Sequence, residues 1–346
     1  MIGERFLPFT VLGSEKEREE TKPMGSEKFK VLLYEEMREE GKVVLREKAD
    51  LFFAEKYDEP YLIERTRDVD GIIIRANGKV TRRLMESAPG LKVVGRHGVG
   101  VENIDVQAAT DLGIWVVNTP DANDNSVAEH FFGLALMLSK MLKKGDIAVR
   151  EGRWEARYEH IGRELRGKTL GILGFGRVGK AIGQIASKGF GMNVLYYDAM
   201  RFEAMEQEIR AVKASLDEIL SKSDFISINL PMLPETKNLI GARELGLLKP
   251  TAYILNLARG PIWDEKALES VLKGGKIAGA ASDVFAVEPA SKDHPLLKLD
   301  NFIATPHMAA HTEEALGRMS LVALDIIRVL EGKEPVYPVN KPKIKR

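Results

Sequence analysis

Gly174, Gly176 and Gly179 stand in the order G-x-G-x-x-G. An apolar run, Leu170–Leu173, precedes them, and Val178, Ala181, Ile182 and Ile185 recur after them at helical spacing. Strand, glycine turn, helix is the setting in which this spacing handles phosphate. The first glycine permits a tight turn, the second lets backbone approach a pyrophosphate, and the third lets helix pack close to strand. The pyrophosphate would lie at the helix N-terminus, against unpaired N–H groups and the positive end of the dipole. A second strand, Asn193–Tyr197, ends at Asp198, close to the spacing expected of the ribose-binding acid. An Asp there accepts hydrogen bonds from both ribose hydroxyls and repels a 2′-phosphate. The expected cofactor is therefore NAD rather than NADP, although Arg201 stands near enough to weaken that preference.

Three later strand ends carry polar groups of different kinds. Arg259 closes LNLARG, Asp283 and Glu288 lie in DVFAVEP, and His307 and His311 lie in TPHMAAH. Singly, each has a plain structural use: an Arg before Gly as a cap, a Glu before Pro as a solvated acid, a His in a loop as a packing group. At successive strand ends of one sheet, beside a dinucleotide, they can face one cleft. Two earlier loops, Arg75-Ala76-Asn77-Gly78 and Arg96-His97-Gly98-Val99-Gly100, also leave strand ends and are candidate walls. His307-x-x-x-His311 lacks the Glu of a zinc-hydrolase helix and any evident third ligand, so no metal is expected.

These groups need a scaffold of alternating strands and helices. Strands are expected at 30–34, 51–54, 71–75, 91–95 and 114–118, and again at 225–230, 252–257, 277–283 and 302–305, with amphipathic stretches between. That alternation predicts parallel sheets. The S-x-x-E of Ser126–Glu129 reads as a capping box opening a helix to about Leu142. It is apolar nearly all round, which fits either an intra-domain core or a subunit interface. The arginine run of 150–168 reads as a solvated face, with anion binding the lesser use. The final helix is expected over 312–330, followed by a solvated Lys-rich tail. Residues 1–28, dominated after Leu12 by charged and small residues, are expected to be a mobile arm, with Met24 a possible natural start.

The chain has 346 residues, enough for two domains, and 51 basic against 51 acidic residues. No global basic field argues for nucleic acid. Cysteine is absent, which fits a reducing cytoplasm, and no apolar run is long enough for a membrane span.

In order along the chain, VVGRHGVGVENID, NTPDANDNSVAEH, GRELRGKTLGILGFGRVG, NLPMLPET, LNLARG, DVFAVEP and TPHMAAHT resemble the D-isomer-specific 2-hydroxyacid dehydrogenases. The resemblance covers most of residues 70–340. It implies two doubly wound α/β domains: a Rossmann cofactor domain, 121–311, inserted into a flavodoxin-like substrate domain, 29–120 with 312–346. It implies an Arg–Glu–His catalytic set at Arg259, Glu288 and His307. The implied NAD contacts are Arg177, Val178, Asp198, Leu230, Pro231, Leu257, Ala258, Asp283 and the loop His307–Ala310, beside the three glycines. Arg75, Asn77, Arg96, Gly98, Val99 and Gly100 are the implied substrate contacts. Members are commonly dimers through the helix matching 127–142, which favours the interface use of that helix.

Within the family, IIIRANGKV and VVGRHGVGVENID look most like phosphoglycerate dehydrogenases, where arginines matching Arg75 and Arg96 help neutralise a phosphate. His97 stands where a small residue is usual, Asn229 where a His is common, and Glu102 where an Asp is common. A glyoxylate or hydroxypyruvate reductase is the alternative, and a non-catalytic corepressor of the same fold a remote one. A formate dehydrogenase would have Gln in place of Glu288.

Overall fold

The computed structural model describes residues 28–344, so all but the last residue of the expected arm lies outside the described residues. Five strands, β1 (Phe29–Leu33), β2 (Ala49–Phe53), β3 (Gly71–Ile74), β4 (Val93–Arg96) and β5 (Trp115–Val117), form one sheet in the order β2-β1-β3-β4-β5. Seven more, β6 (Thr169–Leu173), β7 (Asn193–Tyr197), β8 (Val212–Lys213), β9 (Phe225–Ile228), β10 (Tyr253–Asn256), β11 (Gly279–Ser282) and β12 (Phe302–Ala304), form a second in the order β12-β11-β10-β9-β6-β7-β8. Every pairing between these strands is parallel. Helices therefore carry the crossovers and cover both sheet faces, and β3, β9, β10 and β11 are buried at every position. The first order is flavodoxin-like, and the second, read from β8, is the Rossmann order with one strand added. Strand order reverses between β1 and β3, and between β6 and β9. Those are the points where open α/β sheets hold ligands.

The expected strands are all present, with ends shifted by one or two residues. Sequence reading missed β8, a two-residue exposed edge strand with no apolar run to mark it. The helix expected from Val127 starts at Asp124, with Asn123 as its N-cap. Ser126 is not the cap: it lies inside the first turn, buried, 2.8 Å from the Thr312 hydroxyl. The final helix is two, Glu313–Ser320 and Val322–Leu330. Leu321 joins them through tight i→i−3 bonds, Leu321 N–H to Arg318 and Leu324 N–H to Leu321.

Val322, Ile326 and Val329 of the last helix pack on Val31, Ile73 and Val93 of the first sheet. A side chain at Gly95 would come within 2.9 Å of Ile326, so the glycine admits the helix. The tail is less solvated than its lysines suggest. Pro338 bridges Val117, Val339 N–H donates to the Val116 carbonyl, and the Asn340 side chain accepts from Val116 N–H. The tail thus covers the β5 edge of the sheet, which would otherwise offer unpaired backbone.

The helix Asp124–Ser139 spends its apolar face at home. Phe131, Phe132, Leu134 and Leu138 are buried in one core with Leu170, Ile172 and Ile182. Its outer stripe is Asn125, Glu129 and Gly133. The exposed apolar surface instead follows it, at Leu142, Ile147, Val149, Trp154, Tyr158 and Ile161.

Candidate active site

The glycine turn after β6 has the shape its spacing calls for. Gly174 has φ +89°, and a side chain there would press on the Asn229 backbone. A side chain at Gly179 would overlap the Gly174 carbonyl, so that glycine seats the helix Arg177–Gln184 on β6. Gly176 meets nothing within 4 Å, which leaves the backbone open to a pyrophosphate. These residues fit the dinucleotide phosphates. Asp198 accepts from Phe175 N–H at 2.8 Å and from Met200 N–H at 2.9 Å, so the acid and the glycine turn are built as one unit. Arg201 forks onto Glu206 at 2.9–3.2 Å, and its charge is spent there. Asp198→Ala is therefore expected to narrow the preference for NADH over NADPH. Unchanged ratios of kcat/KM with the two would remove Asp198 from the ribose site.

Asp283 is almost fully buried. It accepts from the Thr305 hydroxyl at 2.5 Å and from Met308 and Ala309 N–H at 2.9 and 2.8 Å. His130 bonds Thr305 from the other side at 3.0 Å. The Asp283 carboxylate thus shapes the loop Pro306–Ala310 and does not project from it. The loop must hold His307 at φ +50°, a region costly for most side chains. The Asp283 carbonyl bonds His307 N–H at 2.8 Å and stabilises that conformation.

Arg259, Glu288 and His307 line one cleft of about 700 Å³ between the carboxyl ends of the two sheets, with Arg75, Asn77, Arg96 and Gly98–Gly100 opposite. His307 Nδ1 lies 2.7 Å from Glu288 Oε2, and Glu288 Oε1 accepts from Phe285 N–H at 2.9 Å. Burial pushes the Glu288 carboxyl up, but the bonds from His307 and Phe285 outweigh it and hold the group below the usual carboxylate range. With Nδ1 engaged, Nε2 is the nitrogen left to exchange a proton with a ligand.

The opposite wall is more structured than its sequence shows. Glu35, after β1, accepts from Ala76 N–H at 2.6 Å, Asn77 N–H at 3.1 Å and the Asn77 amide at 2.8 Å. Asn77 is thereby a fastening of its loop. Arg96 donates from Nε to the Gly100 carbonyl at 2.5 Å and from Nη1 to the carbonyls of Arg75 and His97. It ties the two loops together and has only Nη2 to offer a ligand. Burial pulls its pKa down to about 10, still charged at neutral pH. Arg75 Nη2 meets His311 Nε2 at 2.8 Å. Burial, then the Arg75 charge, lower the His311 pKa, so a neutral imidazole holds Arg75, with the Glu35 carboxylate nearby on the same wall. The loop 98–100 is fixed by Thr119 and Asn118, which donate to the carbonyls of Gly98 and Val99.

His97 is 3% exposed, and neither ring nitrogen has a hydrogen-bond partner. Burial, with Arg75 adding to it, pushes its pKa down to about 4. The unfolded chain takes up that proton near pH 6.5, the folded chain only near 4. The contribution to stability is full above pH 6.5 and is lost as pH falls toward 4, up to about 3 kcal/mol. His97→Phe is expected to remove this part of the acid sensitivity. Identical slopes of Tm against pH for the variant and the wild type between 6.5 and 4.5 would contradict it.

Among the described residues, no group of three or more His, Cys, Asp or Glu side chains is placed to hold a metal, and no helix is long and apolar enough to cross a membrane. The fold and the cleft define a class: two-sheet α/β proteins that hold a dinucleotide on one sheet and a small molecule against the other. Residues 132–309 match the model described as D-isomer specific 2-hydroxyacid dehydrogenase, NAD binding domain, and the chain belongs to the D-isomer specific 2-hydroxyacid dehydrogenase family. It is 42% identical over 317 residues to a D-3-phosphoglycerate dehydrogenase of Methanocaldococcus jannaschii, covering 91% of this chain but 60% of that protein. It is 41% identical over 329 residues to a glyoxylate reductase of Pyrococcus furiosus, covering 93% of this chain and 92% of that protein. Among solved structures, a D-lactate dehydrogenase of Aquifex aeolicus complexed with NAD and lactic acid superposes with a TM-score of 0.81. The two are 30% identical, with 90% of this chain and 100% of that one covered.

Proposed function

We propose that this chain is an NAD-dependent dehydrogenase that interconverts 3-phosphoglycerate and 3-phosphohydroxypyruvate. The observation that carries the substrate is Arg75: a guanidinium in the same cleft as Arg259 and His307, held by a neutral imidazole instead of a carboxylate. A guanidinium with no carboxylate bonded to it suits a second anion, which a phosphate at C3 supplies and glyoxylate or pyruvate does not.

In this reading, residues 121–311 form the cofactor domain and 29–120 with 312–346 the substrate domain. Gly174, Gly176, Gly179, Arg177 and Val178 would hold the pyrophosphate and Asp198 the ribose. Leu230, Pro231, Leu257, Ala258 and Ala310 would flank the nicotinamide end, and Asp283 acts by shaping the loop. NAD, when bound, would supply the acceptor for the hydride at C2 of the hydroxy acid. Arg259 holds the carboxylate and the developing carbonyl by charge-assisted bonds, with the amides of Gly98, Val99 and Gly100 completing the cradle. His307 takes the hydroxyl proton at Nε2 and returns it in the reverse direction. Glu288 bonds Nδ1 and so fixes the tautomer, which leaves Nε2 to exchange the proton.

Two observations favour glyoxylate or hydroxypyruvate as the alternative: Arg96 is committed to carbonyls, and His97 lines the same cleft as Arg75. A screen with NADH separates the readings. 3-Phosphohydroxypyruvate is expected to show higher kcat/KM than glyoxylate, hydroxypyruvate or pyruvate. Arg75→Ala is expected to cost the phosphorylated substrate a few kcal/mol and glyoxylate far less. Equal losses on all substrates would abolish the phosphate site.

The reading includes a cytoplasmic homodimer. Absence of cysteine supports the compartment. The exposed apolar residues Leu142, Val149, Trp154, Tyr158 and Ile161, which follow the helix Asp124–Ser139, support a dimer. Sedimentation velocity reads the assembly.

A further inference from the structure

Arg259, on the second sheet, is gripped by a residue of the first. Glu102 lies just beyond the Gly98–Gly100 loop, and its Oε1 takes Arg259 Nε at 2.7 Å and Nη2 at 2.6 Å. Nη1 donates to the Ala258 carbonyl at 2.7 Å. A guanidinium has five N–H donors in a rigid plane; Nε and one Nη1 N–H are hydrogen-bonded here, and Nη2 is in ion-pair contact with Glu102. Both terminal nitrogens keep an N–H to offer, and such a pair can meet a carboxylate in two places. Gly100 makes room for this arrangement, because a side chain there would overlap both Arg259 Nη2 and the Glu102 carboxylate.

We propose that Glu102 is a positioning residue: by holding the Nε side of Arg259 across the cleft, it presents the guanidinium's remaining edge to the carboxylate of a 2-oxo or 2-hydroxy acid. The inference rests on the functional reading above but concerns a residue that reading does not use. A carboxylate suits the task better than a neutral acceptor because it faces a permanent cation. Burial pushes the Glu102 carboxyl up, while the charge of Arg259, backbone bonding and Arg96 outweigh it and keep the group ionised below its usual range. Because Glu102 and Arg259 belong to different sheets, the edge is presented only when the two halves of the cleft are in register.

The test is a double-mutant cycle on Glu102→Ala and Arg259→Lys, with Glu102→Gln as the conservative variant. Two quantities are read: the Kd of oxalate, a small carboxylate that needs no turnover, on the protein with saturating NADH, and kcat/KM for 3-phosphohydroxypyruvate and hydroxypyruvate. Glu102→Ala is expected to weaken oxalate and to lower kcat/KM, each by about tenfold or more. Glu102→Gln, isosteric and able to accept the same bonds, is expected to recover much of both. In the Arg259→Lys background, Glu102→Ala is expected to cost little or to recover part of the loss, because an effect exerted through the guanidinium disappears with it and the freed ammonium can turn to the substrate. The Kd of NADH is expected to stay constant throughout, which verifies folding. Additive losses would overturn the proposal. So would tighter oxalate binding by Glu102→Ala, which would make Glu102 a competitor for the edge, or no oxalate binding by the wild type. A wild type that binds oxalate through Arg259 yet reduces no 2-oxo acid would sink the dehydrogenase reading and leave this inference standing.

Discussion

Replacing His307 by alanine is expected to lower kcat by about a hundredfold or more, the range for general acid–base groups, with little change in the Kd of NADH. Four of the other histidines are placed for different work. His130 bonds Thr305, and His311 holds Arg75. His97 is sealed without a partner, and His294 pairs with Glu265 at 3.3 Å against the Phe285 ring. His307 combines a carboxylate on Nδ1, a place on the cleft and a backbone forced into the left-handed region. Glu288→Gln is expected to cost less, because glutamine keeps a hydrogen-bonding group beside Nδ1 but loses the carboxylate that the Phe285 N–H and His307 share. An alanine variant at 307 within threefold of wild-type kcat would take the proton transfer away from this pair.

What the sequence made legible was local. Gly174, Gly176 and Gly179 sit within one turn, each glycine answers a backbone requirement of that turn, and so their spacing carries the geometry. The strand ends bearing Arg259, Glu288 and His307 were legible for a related reason: parallel strands of one sheet deliver their carboxyl ends to one side. The rest depends on partners distant in the chain. Glu102 and Arg259 are 157 residues apart, and Arg75 and His311 are 236 apart. No spacing rule links such pairs, because two separate sheets bring them together. Arg96 stands out in the sequence, but its residue type could not tell a free anion ligand from a strut between carbonyls. The Ser126–Glu129 pattern misled for the opposite reason. It has the form of a cap, yet the helix begins earlier and the Ser126 hydroxyl is turned to Thr312.

Arg259→Lys is expected to lower kcat/KM by about tenfold to a thousandfold, a few kcal/mol of transition-state binding. Charge alone does not explain the loss, since lysine keeps it. An ammonium is a point charge on a flexible stem, whereas the guanidinium is a planar fork whose Nε, Nη1 and Nη2 do different jobs. Here Nε and Nη2 meet Glu102, and Nη1 meets Ala258. A lysine at 259 can satisfy Glu102 or the substrate carboxylate, not both in fixed geometry. Glu102 is nearer and always present, so the ammonium is drawn to it. The loss is therefore expected in both terms: a raised KM, because the carboxylate is held less well, and a lowered kcat, because the carbonyl is no longer polarised at a fixed angle. NADH binding is expected to be unaffected, because the glycine turn and Asp198 lie on other strand ends. Near wild-type kcat/KM in Arg259→Lys would mean that charge without shape is sufficient at this position, and the fork geometry would carry none of the transition-state binding.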